Sequence, residues 1–145
     1  MSEVSEKERK GRKRKPRVPA SFVGERLVIG ELLRRGFEAQ LANSSPRKRG
    51  LPVRSGDSPP KLIQVKTVQS TPWYVRRASF VGSLADQVTV YVLLGVDGSA
   101  KSARFFVVKN SDLATQFRQP SDWKAFGLID AKTVEKYENN WDILK

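Results

Sequence analysis

Residues 87–94 (QVTVYVLL) put β-branched and aromatic side chains on both sides of one short segment. A run of this length and composition predicts a central buried strand, so a sheet is the frame for the rest of the chain. Residues 61–68 (KLIQVKTV), 103–108 (ARFFVV) and, more briefly, 51–54 read as further strands, and 37–42 (FEAQLA) alternates like one. Residues 22–35 read as a helix, with Ser21 as its N-cap and Gly36 as its C-terminal stop. A basic loop (NSSPRKRG) fills 43–50, and the Ser-Gly-Asp-Ser-Pro-Pro stretch at 55–60 is a turn. Residues 69–86 show no clear period. Ser111 and Asp112 open a short predicted helix through Phe117, and 130–137 is also predicted to be helical. One helix, several strands and then short helices make a mixed α/β (α+β) domain over 20–145.

Charge narrows the partners. The chain of 145 residues carries 27 Lys and Arg against 15 Asp and Glu, a formal charge of +12. Polyanions are favoured because each phosphate neutralised releases condensed counterions. Residues 1–19 have few apolar side chains and contain Arg12, Lys13, Arg14 and Lys15. They read as a disordered basic arm. DNA is the expected partner, with a basic RNA-binding module as the rival reading. No apolar run approaches membrane-spanning length, so no membrane partner and a cytoplasmic location are expected.

The chain contains neither cysteine nor histidine. Disulfides, thiolate and imidazole metal sites and Ser-His chemistry are therefore excluded. What remains is carboxylate, amide, lysine or a hard metal such as Mg²⁺. Two features stand out. Val28, Ile29 and Leu32 follow Glu25 at helical spacing, so Glu25 lies on or beside the apolar stripe; its plain alternative is a rim residue reaching water. Alternation along 61–68 sets Gln64 and Lys66 on one face. Glu31 stands four residues before Arg35, a surface ion pair.

Gly24-Glu25, the helix end Leu32-Leu33-Arg34-Arg35-Gly36-Phe37, the strand Ile63-Gln64-Val65-Lys66-Thr67 and the ending Tyr137-Glu138-Asn139-Asn140-Trp141-Asp142-Ile143-Leu144 together resemble the PD-(D/E)XK nuclease superfamily. The similarity is to its Holliday-junction-resolvase-like branch and to intron-encoded endonucleases with a Gln-X-Lys variant. The resemblance implies a restriction-endonuclease-like αβββαβ core with a mixed central sheet and flanking helices. It also implies a Mg²⁺-dependent phosphodiester hydrolase, and a homodimer. Glu25 and Gln64 are then the metal ligands and Lys66 the catalytic lysine. The family's motif Asp falls near Gly50, inside Pro46-Arg47-Lys48-Arg49-Gly50-Leu51, where no carboxylate stands. Asp57 is the nearest substitute, in a turn that favours Asp for ordinary reasons. With that position surrounded by cations, a DNA-binding protein that no longer cleaves is the alternative on the same fold. Arg47, Lys48, Arg49, Arg76 and Arg77 are the loop cations expected on DNA. Trp73 and Tyr74 either stack on bases or fill the edge of the core.

Overall fold

The computed structural model describes residues 18–41, 50–95 and 102–145. The arm cations Arg12, Lys13, Arg14 and Lys15 and the loop cations Arg47, Lys48 and Arg49 lie outside them. Helix α1 spans Ala20–Arg34. It starts two residues ahead of the expected position, with Pro19 rather than Ser21 at the N-cap. Pro19 is extended, and its carbonyl accepts from the N–H groups of Phe22 and Val23 at 3.0 and 3.2 Å. The C-terminus closes as a Schellman motif: Phe37 N–H donates to Leu32 O at 3.0 Å and Gly36 N–H to Leu33 O at 3.1 Å. Gly36 takes φ +90°, a conformation that favours glycine, and Phe37 and Leu32 are buried in the same core.

The strands are β1 (Glu38–Ala39), β2 (Leu51–Arg54), β3 (Lys61–Val68), β4 (Trp73–Arg76), β5 (Val88–Leu93), β6 (Arg104–Lys109) and β7 (Phe126–Ile129). Five form a sheet in the order β1-β2-β3-β5-β6, and β4 pairs with β7 in a separate two-stranded ribbon. The β3–β5 pair is parallel and the others are antiparallel. A parallel pair needs a crossover. The crossover here runs through β4 and two 3₁₀ turns, Arg77–Phe80 and Gly82–Leu84, where the expected αβββαβ order has a helix. The helix expected over 111–117 is one 3₁₀ turn, Asn110–Leu113. That expected over 130–137 is a single turn, α2 (Ala131–Val134), continued as 3₁₀. Among the described residues no helix is long and apolar enough to cross a membrane.

Strand alternation gives the sheet two buried faces. On one, Ile63, Val90, Val92, Phe105 and Val107 pack with Val28 and Leu32 of α1 and with Trp141 and Leu144 of the C-terminal turn. On the other, Tyr91, Phe106 and Val108 pack with Trp73, Val75 and Ile129 of the ribbon and with Leu113 and Val134. The 87–94 run is thus covered on both faces, as its composition predicts.

Candidate nucleic-acid interface

Register fixes the candidate residues of β3. Gln64 stands beside Thr89, Lys66 beside Tyr91 and Val68 beside Leu93, so these three project to the ribbon face. Ile63, Val65 and Thr67 project to the α1 face. Gln64 and Lys66 are therefore brought together as their spacing implies, and both are half-buried. Around Lys66 the charge is of its own sign. Burial, and next the Arg76 guanidinium, hold the Lys66 ammonium below the usual lysine pKa. Among the described residues Lys66, Arg76 and Arg77 have no carboxylate partner. Other arginines of the fold do: Arg104 donates to Glu138 at 3.0 and 2.9 Å, and Arg118 to Asp130 at 2.7 and 3.0 Å.

A buried polar group supports this face. Thr89 Oγ1 donates to Asn110 Oδ1 at 2.6 Å, and Asn110 Nδ2 donates to Leu84 O at 2.9 Å. Tyr91 is buried, which pushes its phenol pKa up against the opposing effect of a hydrogen bond with Thr89, so the phenol stays protonated. Sequence reasoning missed Thr89 and Asn110. Their one signal was Thr89 itself, a polar residue inside an otherwise apolar run.

Glu25 belongs to the other layer. Gly24 lies so close to β3 that a Cβ there would stand 1.8 Å from Thr67 Oγ1. That approach sets the start of α1, and with it half-buried Glu25, against the Thr67 side of β3. Lys66 projects from the opposite side. The two sides meet only around the β3 edge beyond Ile63, because β2 pairs with β3 from Lys61 to Ile63. Extending that register puts Gly50 opposite Gln64. Gly50 has φ +144°, and a Cβ there would be 2.5 Å from Ile63 O. A side chain at this position is excluded by strain and by space together. Asp57 is exposed in the β2–β3 turn. Lys66 lies five residues beyond Lys61 in the opposite direction, about 16 Å at the ordinary strand rise of about 3.3 Å per residue. The structure does not bring Asp57 to Gln64 and Lys66.

Mg²⁺ demands near-octahedral oxygen ligation, usually anchored by carboxylates. Among the described residues no group of three Asp, Glu, His or Cys is placed to hold a metal ion. Glu25 is the carboxylate of α1 set against β3, and the charge that acts on Lys66 is the Arg76 guanidinium's. The described residues do not make up a magnesium site.

Trp73 corrects the reading of that residue as a base-stacking group. It is 1% exposed, its indole N–H donates to Val92 O at 3.2 Å, and its ring meets Tyr91 and Phe106 edge-on at 5.4 and 5.8 Å. It anchors the ribbon to the sheet. Alternation then turns Tyr74 and Arg76 outward, and both are exposed, as is Arg77.

No protein-family model matches the chain, and no curated protein matches it. Among solved structures it is similar to Hjc, a Holliday junction resolvase of the archaeal hyperthermophile Archaeoglobus fulgidus, at 14% identity and a TM-score of 0.56. The alignment covers 87% of this chain and 96% of that one. At this identity the likeness speaks for architecture alone. The chain has a restriction-endonuclease-like fold of mixed α+β type.

Proposed function

We propose that this protein binds DNA on a resolvase-type nuclease fold, and that Lys66 and Arg76 together take a backbone phosphate. The reading rests on a half-buried lysine that feels the charge of an arginine, neither having a carboxylate partner among the described residues. Such an arrangement is costly until an anion joins it. Phosphate is the anion that suits a guanidinium paired with an ammonium. The net charge of +12 supplies long-range attraction for the same partner. The lack of a motif Asp at Gly50 belongs to this reading, which is binding without a magnesium site of the usual composition.

Mobility shift of duplex and four-way-junction DNA, run in a chelator, tests it. Binding that survives metal removal is the expected result, and binding that vanishes with the metal refutes it. A second reading, metal-dependent phosphodiester hydrolysis at Glu25, Gln64 and Lys66, rests on the resolvase-type fold alone, since Glu25 stands on the Thr67 side of β3 and Lys66 on the other. Plasmid nicking in Mg²⁺ that is lost in Lys66→Ala would favour it. Intact plasmid under the same conditions leaves binding as the function.

A further inference from the structure

The outer face of the β4–β7 ribbon has an unusual composition for a solvent-facing surface. Tyr74 lies opposite Leu128 and Arg76 opposite Phe126, so these four side chains share one face. Tyr74 is 62% exposed and Phe126 45% exposed. The Arg76 guanidinium lies 5.2 Å from the Phe126 ring centroid. Trp123 extends the row: its ring is stacked with Tyr74, centroids 6.1 Å apart and planes at 28°. Lys124 and Arg77 are exposed near it, with Asp122 as the adjacent carboxylate.

The platform is held rigidly from behind. Its inner side is Trp73, Val75 and Ile129, all buried. Gly127 gives Phe117 its place, since a Cβ there would be 2.5 Å from Phe117 Cδ2, and Phe117 stacks on Phe80 at 4.6 Å. The free edge of β7 is closed by Arg118 and Leu128, which exchange backbone hydrogen bonds at 2.7 and 2.8 Å. Rings held by a fixed backbone lose little entropy on contact.

We propose that this face is a stacking platform for unpaired bases of single-stranded DNA, with Tyr74 and Phe126 as the stacking rings and Arg76 shared between the platform and the Lys66 phosphate position. The inference rests on the DNA-binding reading above and adds a substrate feature to it. Aromatic rings interleaved with cations suit the π faces and phosphates of an unpaired strand, whereas a duplex hides its base faces. Charge complementarity favours this occupant over an apolar protein surface, which would leave Arg76, Arg77 and Lys124 unpaired.

The test uses the full chain, a single-stranded oligonucleotide carrying 2-aminopurine, and the same sequence as a duplex. Expected are 2-aminopurine quenching on the single strand and, in Tyr74→Ala, single-strand affinity weakened between about 5-fold and about 150-fold, the range for one base–aromatic contact. Duplex affinity should stay unchanged and Tyr74→Phe should behave as the parent. Should Tyr74→Ala fail to fold, Phe126→Ala and the quenching given by the parent chain carry the same test. Normal duplex binding without single-strand quenching, or with equal losses on both DNAs, overturns the platform alone. Absence of binding to both DNAs by the parent chain overturns the DNA reading and the platform with it.

Discussion

Helix α1 contains two glycines that make opposite predictions for the same substitution. An alanine in a helix interior is ordinarily more stable than glycine by about 1 kcal/mol. Gly30 is exposed, with nothing within 4 Å of its would-be Cβ, so Gly30→Ala should gain about that amount. Gly24 has no such room: its Cβ would stand 1.8, 2.7 and 2.8 Å from Thr67 Oγ1, Cβ and Cγ2. Relieving that overlap means separating α1 from β3, at the upper end of the roughly 1–3 kcal/mol that overpacking costs. Subtracting the propensity gain leaves Gly24→Ala destabilised by about 2 kcal/mol, a fall in Tm of roughly 6–10 °C for a domain of this size. Thr67→Ala removes Oγ1 and Cγ2, leaving Cβ, and with them goes a buried hydroxyl that has no hydrogen-bond partner among the described residues. Placed on Gly24→Ala, it should recover about 1 kcal/mol or more as a favourable coupling. Urea and thermal unfolding of the four variants read this directly. A Gly24→Ala as stable as Gly30→Ala, or additivity in the double variant, refutes the helix–strand contact.

Two further expectations concern charge. Lys66 holds its proton less tightly folded than unfolded, so its charge costs stability fully below the folded pKa. That cost disappears as pH rises through the folded pKa towards the unfolded value of about 10.4. Lys66→Met should therefore be more stable than the parent at pH 7, with the difference shrinking towards pH 10, while DNA affinity falls; a destabilised variant with a pH-independent difference contradicts this. Removal of residues 1–18 should flatten the log–log salt dependence of DNA binding by about 3.6 if Arg12, Lys13, Arg14 and Lys15 each engage a phosphate, at about 0.9 per contact. An unchanged slope would leave the arm off the DNA.

Much of the fold was legible because the sheet announces itself by period. Strands β2 and β3 span the residues expected, and β5 and β6 lie within a residue of expectation, since their alternation or continuous apolar content is local information. The ribbon was not legible. Trp73–Arg76 and Phe126–Ile129 are four residues each, mix charge with aromatics, and are strands only because they find each other across about fifty residues. Gly127 is the seat of Phe117, which nothing in its local sequence announces. The same limit applied to the site. The pairing of Gln64 with Lys66 followed from spacing within one strand, and the Glu31–Arg35 ion pair from spacing within one helix. That the Arg76 charge acts on Lys66, and that Glu25 belongs to the other side of β3, depends on how layers stack, and no spacing encodes it.

If Lys66 and Arg76 hold one DNA phosphate between them, the salt dependence of duplex binding reads it. With Lys66→Gln, Arg76→Gln and the double variant compared against the parent, log K against log salt should lose about 0.9 of its slope for the phosphate lost. The double variant should lose little more than either single one, because both side chains serve the same phosphate. Parent and variants with equal slopes and affinities would contradict the claim.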